Sequence, residues 1–132
     1  MGKEEYVSFK IAKLLKEKGF YWDCDHYYKP NGEIARTFHT EGSRHINSTV
    51  LYEHQCLAPT QQMACDWLKK EKGTYISVVP DFNEYGEYPD DLYWFARVYD
   101  LRNGDYIHST KLYIGSQEAF EAALEFALTN LI

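Results

Sequence analysis

Residues 116–132 read SQEAFEAALEFALTNLI, and this stretch decides the fold because it predicts an amphipathic helix. Ser116 stands at the expected N-cap, and Glu118 follows in the first turn, where the helix dipole favours an acid. An apolar stripe must be covered by another element, so we expect the helix to lie across the aromatic strands that precede it. The stripe consists of Phe120, Ala123, Leu124, Ala127, Leu128 and Leu131.

Three strands are predicted before this helix, at 75–79, 92–99 and 106–113. The nearly continuous apolar run 92–99 predicts a central strand covered on both faces. Arg102-Asn103-Gly104-Asp105 has the composition of a tight turn and joins the last two strands. A helix at 60–72 precedes the strands, with Thr60 as its N-cap and Gly73 as its stop.

The N-terminal half carries weaker patterns of the same kind. We predict a helix over 4–18 that stops at Gly19, a hairpin over 27–38, a loop over 39–49 and a strand over 50–57. No linker or repeat interrupts the chain. The sequence therefore predicts one α+β domain over 1–132, with an antiparallel sheet of about five strands and three helices. Its C-terminal part is ordered helix-strand-strand-strand-helix.

The charge of the chain is acidic and unevenly distributed. Its net charge is −6, yet residues 81–132 hold ten acidic and three basic side chains, a net charge of −7. Nucleic-acid affinity comes largely from Lys and Arg, so this half disfavours nucleic acid. The chain is also rich in tyrosine, with 12 Tyr beside 7 Phe and 3 Trp. Tyrosine suits half-exposed strands and binding surfaces alike.

Cysteine content and hydropathy indicate the compartment. Three cysteines cannot all pair within one chain, which fits a reducing environment. The first residues contain no signal-peptide h-region, and no apolar run approaches membrane-spanning length. We expect a cytoplasmic protein without a membrane partner.

Cysteine and histidine form the one constellation with metal chemistry. Two one-apart pairs on neighbouring strands would present four zinc ligands on one face. The candidates are Cys24, His26, His54 and Cys56. Knuckle spacings between cysteines are absent, so no metal or cofactor is predicted. A thiol nucleophile remains an alternative, with Cys56 or Cys65 beside one of the histidines His39, His54 and His108.

The segment 81–92, DFNEYGEYPDDL, interleaves tyrosine with acid. It begins like a calcium loop, with an acid, an amide and a glycine at positions one, three and six, but Tyr85 and Leu92 replace two required ligands. Weak calcium binding through its acids stays open. We interpret the segment as a contact loop for a protein partner, or as a mimic of nucleic-acid charge that faces a basic partner. The contact candidates are Tyr85, Glu87, Tyr88, Asp90 and Asp91.

From residue 60 onward the order of elements resembles the double-stranded RNA-binding domain. That resemblance implies two helices on one face of a three-stranded sheet, with lysines at the start of the last helix that contact phosphate. Here the position reads Gly115-Ser116-Gln117-Glu118-Ala119, which contains no base. The chain is also similar to small uncharacterised proteins of gut bacteria and their phages, in 6–20, 58–64, Trp67-Leu68 and the final helix. This second resemblance implies an accessory role in a phage or mobile element and no known activity.

These observations favour a non-catalytic module that acts through contacts with a protein partner. Nucleic-acid binding is the first alternative, placed on the less acidic half, with Lys10, Lys13, Lys16, Arg36 and Arg44. A metal or thiol enzyme built from the Cys and His residues is the second.

Overall fold

The computed structural model describes residues 5–36, 55–81 and 93–132. The described residues form three helices and six strands: α1 (Phe9–Glu17), β1 (His26–Tyr28), β2 (Ile34–Arg36), β3 (Cys56–Leu57), α2 (Gln61–Lys72), β4 (Thr74–Asp81), β5 (Tyr93–Asp100), β6 (Asp105–Ser109) and α3 (Ser116–Asn130). The strands pair antiparallel in two sheets, ordered β2-β1-β3 and β4-β5-β6. The α+β class and the C-terminal element order are confirmed. One sheet of about five strands was expected; in the described part of the chain six strands divide between two sheets.

The chain separates into two compact units, Met1–Trp67 and Leu68–Ile132. A single domain over 1–132 stays a prediction. None of the described helices is long and apolar enough to cross a membrane.

In the N-terminal unit, α1 starts later than predicted. The Oγ of Ser8 accepts a hydrogen bond from the Ile11 amide at 3.2 Å and caps the helix there. The preceding residues are extended instead, since the Val7 amide donates to the Pro59 carbonyl at 3.0 Å. The predicted stop is confirmed: Gly19 has a φ of 91°, a conformation that favours glycine.

The core of this unit forms around α1 and the β1–β3 sheet. Ile11 and Leu15 are buried on α1, which contacts β3. Phe20 is buried as well and meets Trp67 edge to face, with ring centroids 5.5 Å apart. The predicted hairpin is confirmed, with Tyr27 of β1 opposite Ala35 of β2.

The α2 helix and its boundaries agree with the sequence prediction. The Thr60 Oγ1 accepts from the Met63 amide at 3.1 Å and caps it. Gly73 follows the last turn with a φ of 64°. The resemblance to the double-stranded RNA-binding domain implies that α2 packs on the same face of the C-terminal strands as the final helix, and this packing stays a prediction.

The C-terminal unit is an antiparallel meander of three strands. β5 is central, as predicted, and β4 continues through Pro80 rather than stopping there. Proline is tolerated because β4 is an edge strand of the described sheet. One side of its backbone forms no hydrogen bonds to a neighbouring strand of that sheet, so the missing N–H is not required there. The predicted turn is confirmed by Gly104, whose φ is 75°. The last strand is shorter than predicted and ends at Ser109.

The final helix contacts β4 and β5, so the predicted cover of the apolar stripe is confirmed. Leu124 and Leu128 are fully buried, and burial of such a side chain contributes about 1.5–3 kcal/mol. Two details were wrong. Gly115, not Ser116, occupies the N-cap, without a side-chain hydrogen bond. Leu131 lies beyond the helix and is 36% exposed, so it is not a core anchor.

Candidate functional site

One face of the C-terminal sheet is turned away from α3. Val98 and His108 are cross-strand partners, and the His108 ring stacks on Phe126 of α3 at 3.7 Å. The face that carries Val98 is therefore the one that α3 covers. Because side chains alternate along a strand, the neighbours of Val98, Arg97 and Tyr99, lie on the opposite face.

We call this opposite face the tyrosine face. It consists of Tyr75, Ser77 and Val79 of β4, Tyr93, Phe95, Arg97 and Tyr99 of β5, and Tyr106 of β6. The run 92–99 was expected to be covered on both sides, and this is wrong, since Tyr93 and Arg97 are exposed. An aromatic surface that stays accessible is a marker of an interaction site.

Three tyrosines, one from each strand, form a row across this face, which we call the tyrosine ladder. The Tyr75 and Tyr99 rings have centroids 6.3 Å apart, with an interplanar angle of 55°. Tyr99 and Tyr106 are 6.0 Å apart at 67°, an edge-to-face arrangement. The two outer members are 38% (Tyr75) and 56% (Tyr106) exposed. The rings are therefore tilted against one another and do not form one flat surface.

Two cations border the tyrosine ladder. The Arg97 guanidinium lies 5.1 Å from the ring centroid of Phe95, two residues earlier on the same strand. The Lys69 ammonium at the end of α2 lies 5.8 Å from that of Tyr75. Both contacts are within the range of cation–π attraction. Positive charge thus lies on the aromatic surface of a unit in which most charged side chains of the strands and of the last helix are acidic.

A β-bulge in β6 places Tyr106, the third tyrosine of the ladder, on the tyrosine face. Val98 pairs with His108 and Tyr99 pairs with Tyr106, so Ile107 is an extra residue on β6. In a regular strand without a bulge, Tyr106 and His108 are two residues apart and would point to the same face. The bulge sends Tyr106 to the ladder and His108 toward α3. The sequence did not predict that Tyr106 lies on this face, because the pattern Tyr106-Ile107-His108 contains no marker of a bulge.

The hairpin turn fixes that pairing. Oδ1 of Asp100 accepts hydrogen bonds from the Arg102 backbone amide at 3.0 Å and from its Nε at 3.1 Å. The hydrogen bond from the Arg102 side chain lowers the pKa of Asp100 below its ordinary value. Asn103 adds a further turn bond, its Oδ1 accepting from the Asp105 amide at 3.1 Å.

The predicted partner-contact residues lie outside the described residues: Tyr85, Glu87, Tyr88, Asp90 and Asp91. Of the calcium-loop acids, only Asp81 is described, as the last residue of β4. Both interpretations of this segment stay predictions. Its attachment points are known, because Asp81 and Tyr93 pair across β4 and β5.

Three of the four candidate zinc ligands are described, and His54 lies outside. The backbone register places Cys56 opposite Tyr28, whereas the His26 carbonyl accepts from the Ala58 amide. The His26 ring hydrogen-bonds Asp25 at 2.8 Å, and the Cys24 sulfur contacts that of Met63 at 3.8 Å. Within the described residues, no group of three His, Cys, Asp or Glu side chains could hold a metal. The structure does not bring Cys24, His26 and Cys56 together as a metal group. The complete set of four candidates is not tested, because His54 lies outside the described residues.

The three thiols are buried, which disfavours a nucleophilic role for them. Burial raises the pKa of Cys24 to about 12 and raises that of Cys65 further above its ordinary value. Burial also raises the pKa of Cys56, although Lys16 and Lys13 oppose the effect. Since the thiolate is the reactive form, little of it is present at neutral pH.

The basic residues of the nucleic-acid alternative are partly engaged within the N-terminal unit. The Lys13 ammonium lies 4.6 Å from the Phe9 ring centroid, and Lys16 Nζ donates to the Gln55 carbonyl at 2.8 Å. Lys10 and Arg36 are exposed, and Arg44 lies outside the described residues.

Comparison with known proteins identifies no relative: no family model, curated protein or solved structure matches this chain.

Proposed function

We propose that this protein is a non-catalytic interaction module whose tyrosine ladder binds an extended segment of a protein partner. The observation that carries the proposal is the row of Tyr75, Tyr99 and Tyr106 across an accessible sheet face, with Arg97 beside it. Tyrosine and arginine are the residue types that most often dominate binding energy at protein interfaces. Tyrosine adds large contact area at a small entropy cost, because it has two rotatable side-chain torsions.

The ring geometry favours a peptide over nucleobases. Single-stranded nucleic acid binds through bases that stack flat on aromatic rings. Rings inclined by 55° and 67° to one another offer no continuous flat platform for stacked bases, whereas the side chains or proline rings of a peptide can pack against their uneven surface. The surplus of acids in 81–132 opposes a phosphate backbone as well.

The acidic segment between β4 and β5 favours a partner with basic residues next to its apolar ones. This segment leaves β4 after Asp81 and enters β5 at Tyr93, which itself belongs to the tyrosine face. Carboxylates attached at this end would attract Lys or Arg of the partner and speed its association. An accessory role in a phage or mobile element rests on the sequence resemblance alone and stays a prediction.

A peptide-display selection against the immobilised protein tests the proposal. We expect the selected peptides to bind the wild type and to bind the variants Tyr99→Ser and Tyr106→Ser about tenfold more weakly or worse. Tyr21→Ser is the matched control, since Tyr21 is 52% exposed but lies in the N-terminal unit. Equal binding by all variants would refute the tyrosine face as the site. Salt-dependent binding of single-stranded oligonucleotides that the ladder variants lose would assign the face to nucleic acid instead.

A further inference from the structure

A second concave surface lies on the α3 side of the C-terminal sheet. Residues 108–113 and α3 line a shallow cleft of about 340 Å³ that is largely open to solvent. This volume is within the range of small-ligand sites, about 300–1,000 Å³. The cleft shares no residue with the tyrosine face, so it has no part in the proposed function.

The wall of the cleft is held in place by aromatic stacking and by a threonine. The His108 and Phe126 rings are nearly parallel, with an angle of 6° and a centroid distance of 3.7 Å. The Thr110 Oγ1 accepts from the Ala96 amide and donates to the Lys111 carbonyl, both at 2.9 Å. These bonds anchor the segment after β6 to the central strand. The His108 ring and the backbone at Thr110 are thus held in place before a ligand binds.

Several donors in the cleft have no hydrogen-bond partner among the described residues. His108 is half-buried and its ring stacks on Phe126, and within the described residues neither of its ring nitrogens has a hydrogen-bond partner. Lys111 holds its ammonium 5.5 Å from the Tyr113 ring centroid and is exposed, without a carboxylate partner within the described chain. Imidazole, ammonium and phenol together form a recognition set for a carboxylate.

The opposite wall carries the opposite charge. Glu125 lines the cleft from α3, two turns after Glu118 and one turn after Glu121 on the same helix. The Glu125 carboxylate would repel a dianionic phosphate, and the Lys111 ammonium would repel a simple amine. A ligand that carries both charges is complementary in charge to both walls.

We propose that this cleft binds a small zwitterion of the α-amino-acid class. Its carboxylate would contact Lys111 and His108, and its ammonium group would contact Glu125. The side chain of the ligand would lie along Ala122 and the stacked rings, which form the apolar part of the lining. No covalent step is involved.

The test is a titration of the full chain, labelled with ¹⁵N, with each of the common amino acids and with two analogues that carry one charge. The analogues are the carboxylic acid without the amine and the amine without the carboxylate. We expect one or more amino acids to give saturable shifts at residues 108–113 and 122–130, and the analogues to bind about tenfold more weakly. Lys111→Gln and Glu125→Gln should each weaken binding by a similar factor.

Two variants serve as controls in this titration. Glu118→Gln removes an exposed acid of the same helix that does not line the cleft, and should bind like the wild type. Tyr106→Ser alters the other face of the sheet and should also bind normally, which separates this proposal from the peptide proposal. The absence of shifts at about 10 mM of every amino acid, equal binding of the analogues, or unchanged binding by Lys111→Gln would each overturn the assignment.

Discussion

The Tyr106 ring lies 6.0 Å from the Tyr99 ring because one extra residue, Ile107, shifts the register of β6 against β5. This bulge gives the sheet its third tyrosine on the accessible face and sends His108 to the opposite one. Two separate surfaces, the tyrosine ladder and the cleft, therefore depend on one irregularity in an edge strand.

The contact between these two rings should be measurable as a coupling energy. In a double-mutant cycle of Tyr99→Ala and Tyr106→Ala, we expect a coupling of about 0.5–1.5 kcal/mol in the free energy of unfolding, because edge-to-face rings attract one another beyond their buried area. Urea denaturation of the wild type and the three variants measures it. Additive effects within the error of the fits would contradict the pairing.

The burial of the final helix distinguishes two leucines that look alike in sequence. Leu124 is fully buried, so Leu124→Ala should lower the free energy of unfolding by about 2–5 kcal/mol through the cavity that it leaves. Leu131→Ala is the matched control and should cost less than about 1 kcal/mol, since its side chain is 36% exposed. Thermal or urea unfolding compares them. Equal losses of unfolding free energy in the two variants would contradict the orientation in which α3 packs on the sheet.

The Asp100 turn predicts a pH dependence of stability. Its hydrogen bonds from Arg102 lower the folded-state pKa below the ordinary value of 3.8, so the folded state binds a proton less readily than the unfolded state. The stabilisation is fully present above pH 3.8 and is lost as the pH falls through the lower folded-state pKa. We expect the stability difference between wild type and Asp100→Asn to be constant near neutral pH and to shrink in acid. A difference that grows on acidification would contradict this sign.

The buried thiols predict slow alkylation of the folded protein. Because burial raises their pKa values, none of Cys24, Cys56 and Cys65 should react with iodoacetamide at pH 7.5 as fast as a free thiol in the same buffer. In urea all three should react at the rate of a free thiol. Mass spectrometry of timed samples follows the labelling. Rapid stoichiometric labelling of one cysteine in the native state would restore the nucleophile hypothesis.

Local signals allowed much of the fold to be predicted from the sequence. Thr60, Gly73 and Gly104 each act on neighbouring residues, as a cap, a helix stop and a turn, and all three are confirmed. The Ser8 cap was equally readable, since its acceptor serves the amide three residues on, and the expected start of α1 overlooked it.

The failures come from nonlocal pairing. The strands Cys56–Leu57 and His26–Tyr28 are distant in sequence, and no local pattern says whether they join the C-terminal strands or form a sheet of their own. The exposed side of β5 was missed for a related reason: an aromatic run reads as apolar on both faces, yet Tyr93 is amphipathic and tolerates water. The tyrosine ladder was therefore not predicted as a site, because a surplus of tyrosine suits sheet strands as well as binding surfaces.

The most direct test of the account is a chemical-shift map of the ¹⁵N-labelled chain with a peptide from the display selection. The account predicts that the largest shifts fall on Tyr75, Arg97, Tyr99 and Tyr106, with the α3 residues 119–128 little changed. Shifts concentrated on the lysines of α1, or spread without regard to the face of the sheet, would contradict the claim that the tyrosine ladder is where this protein binds its partner.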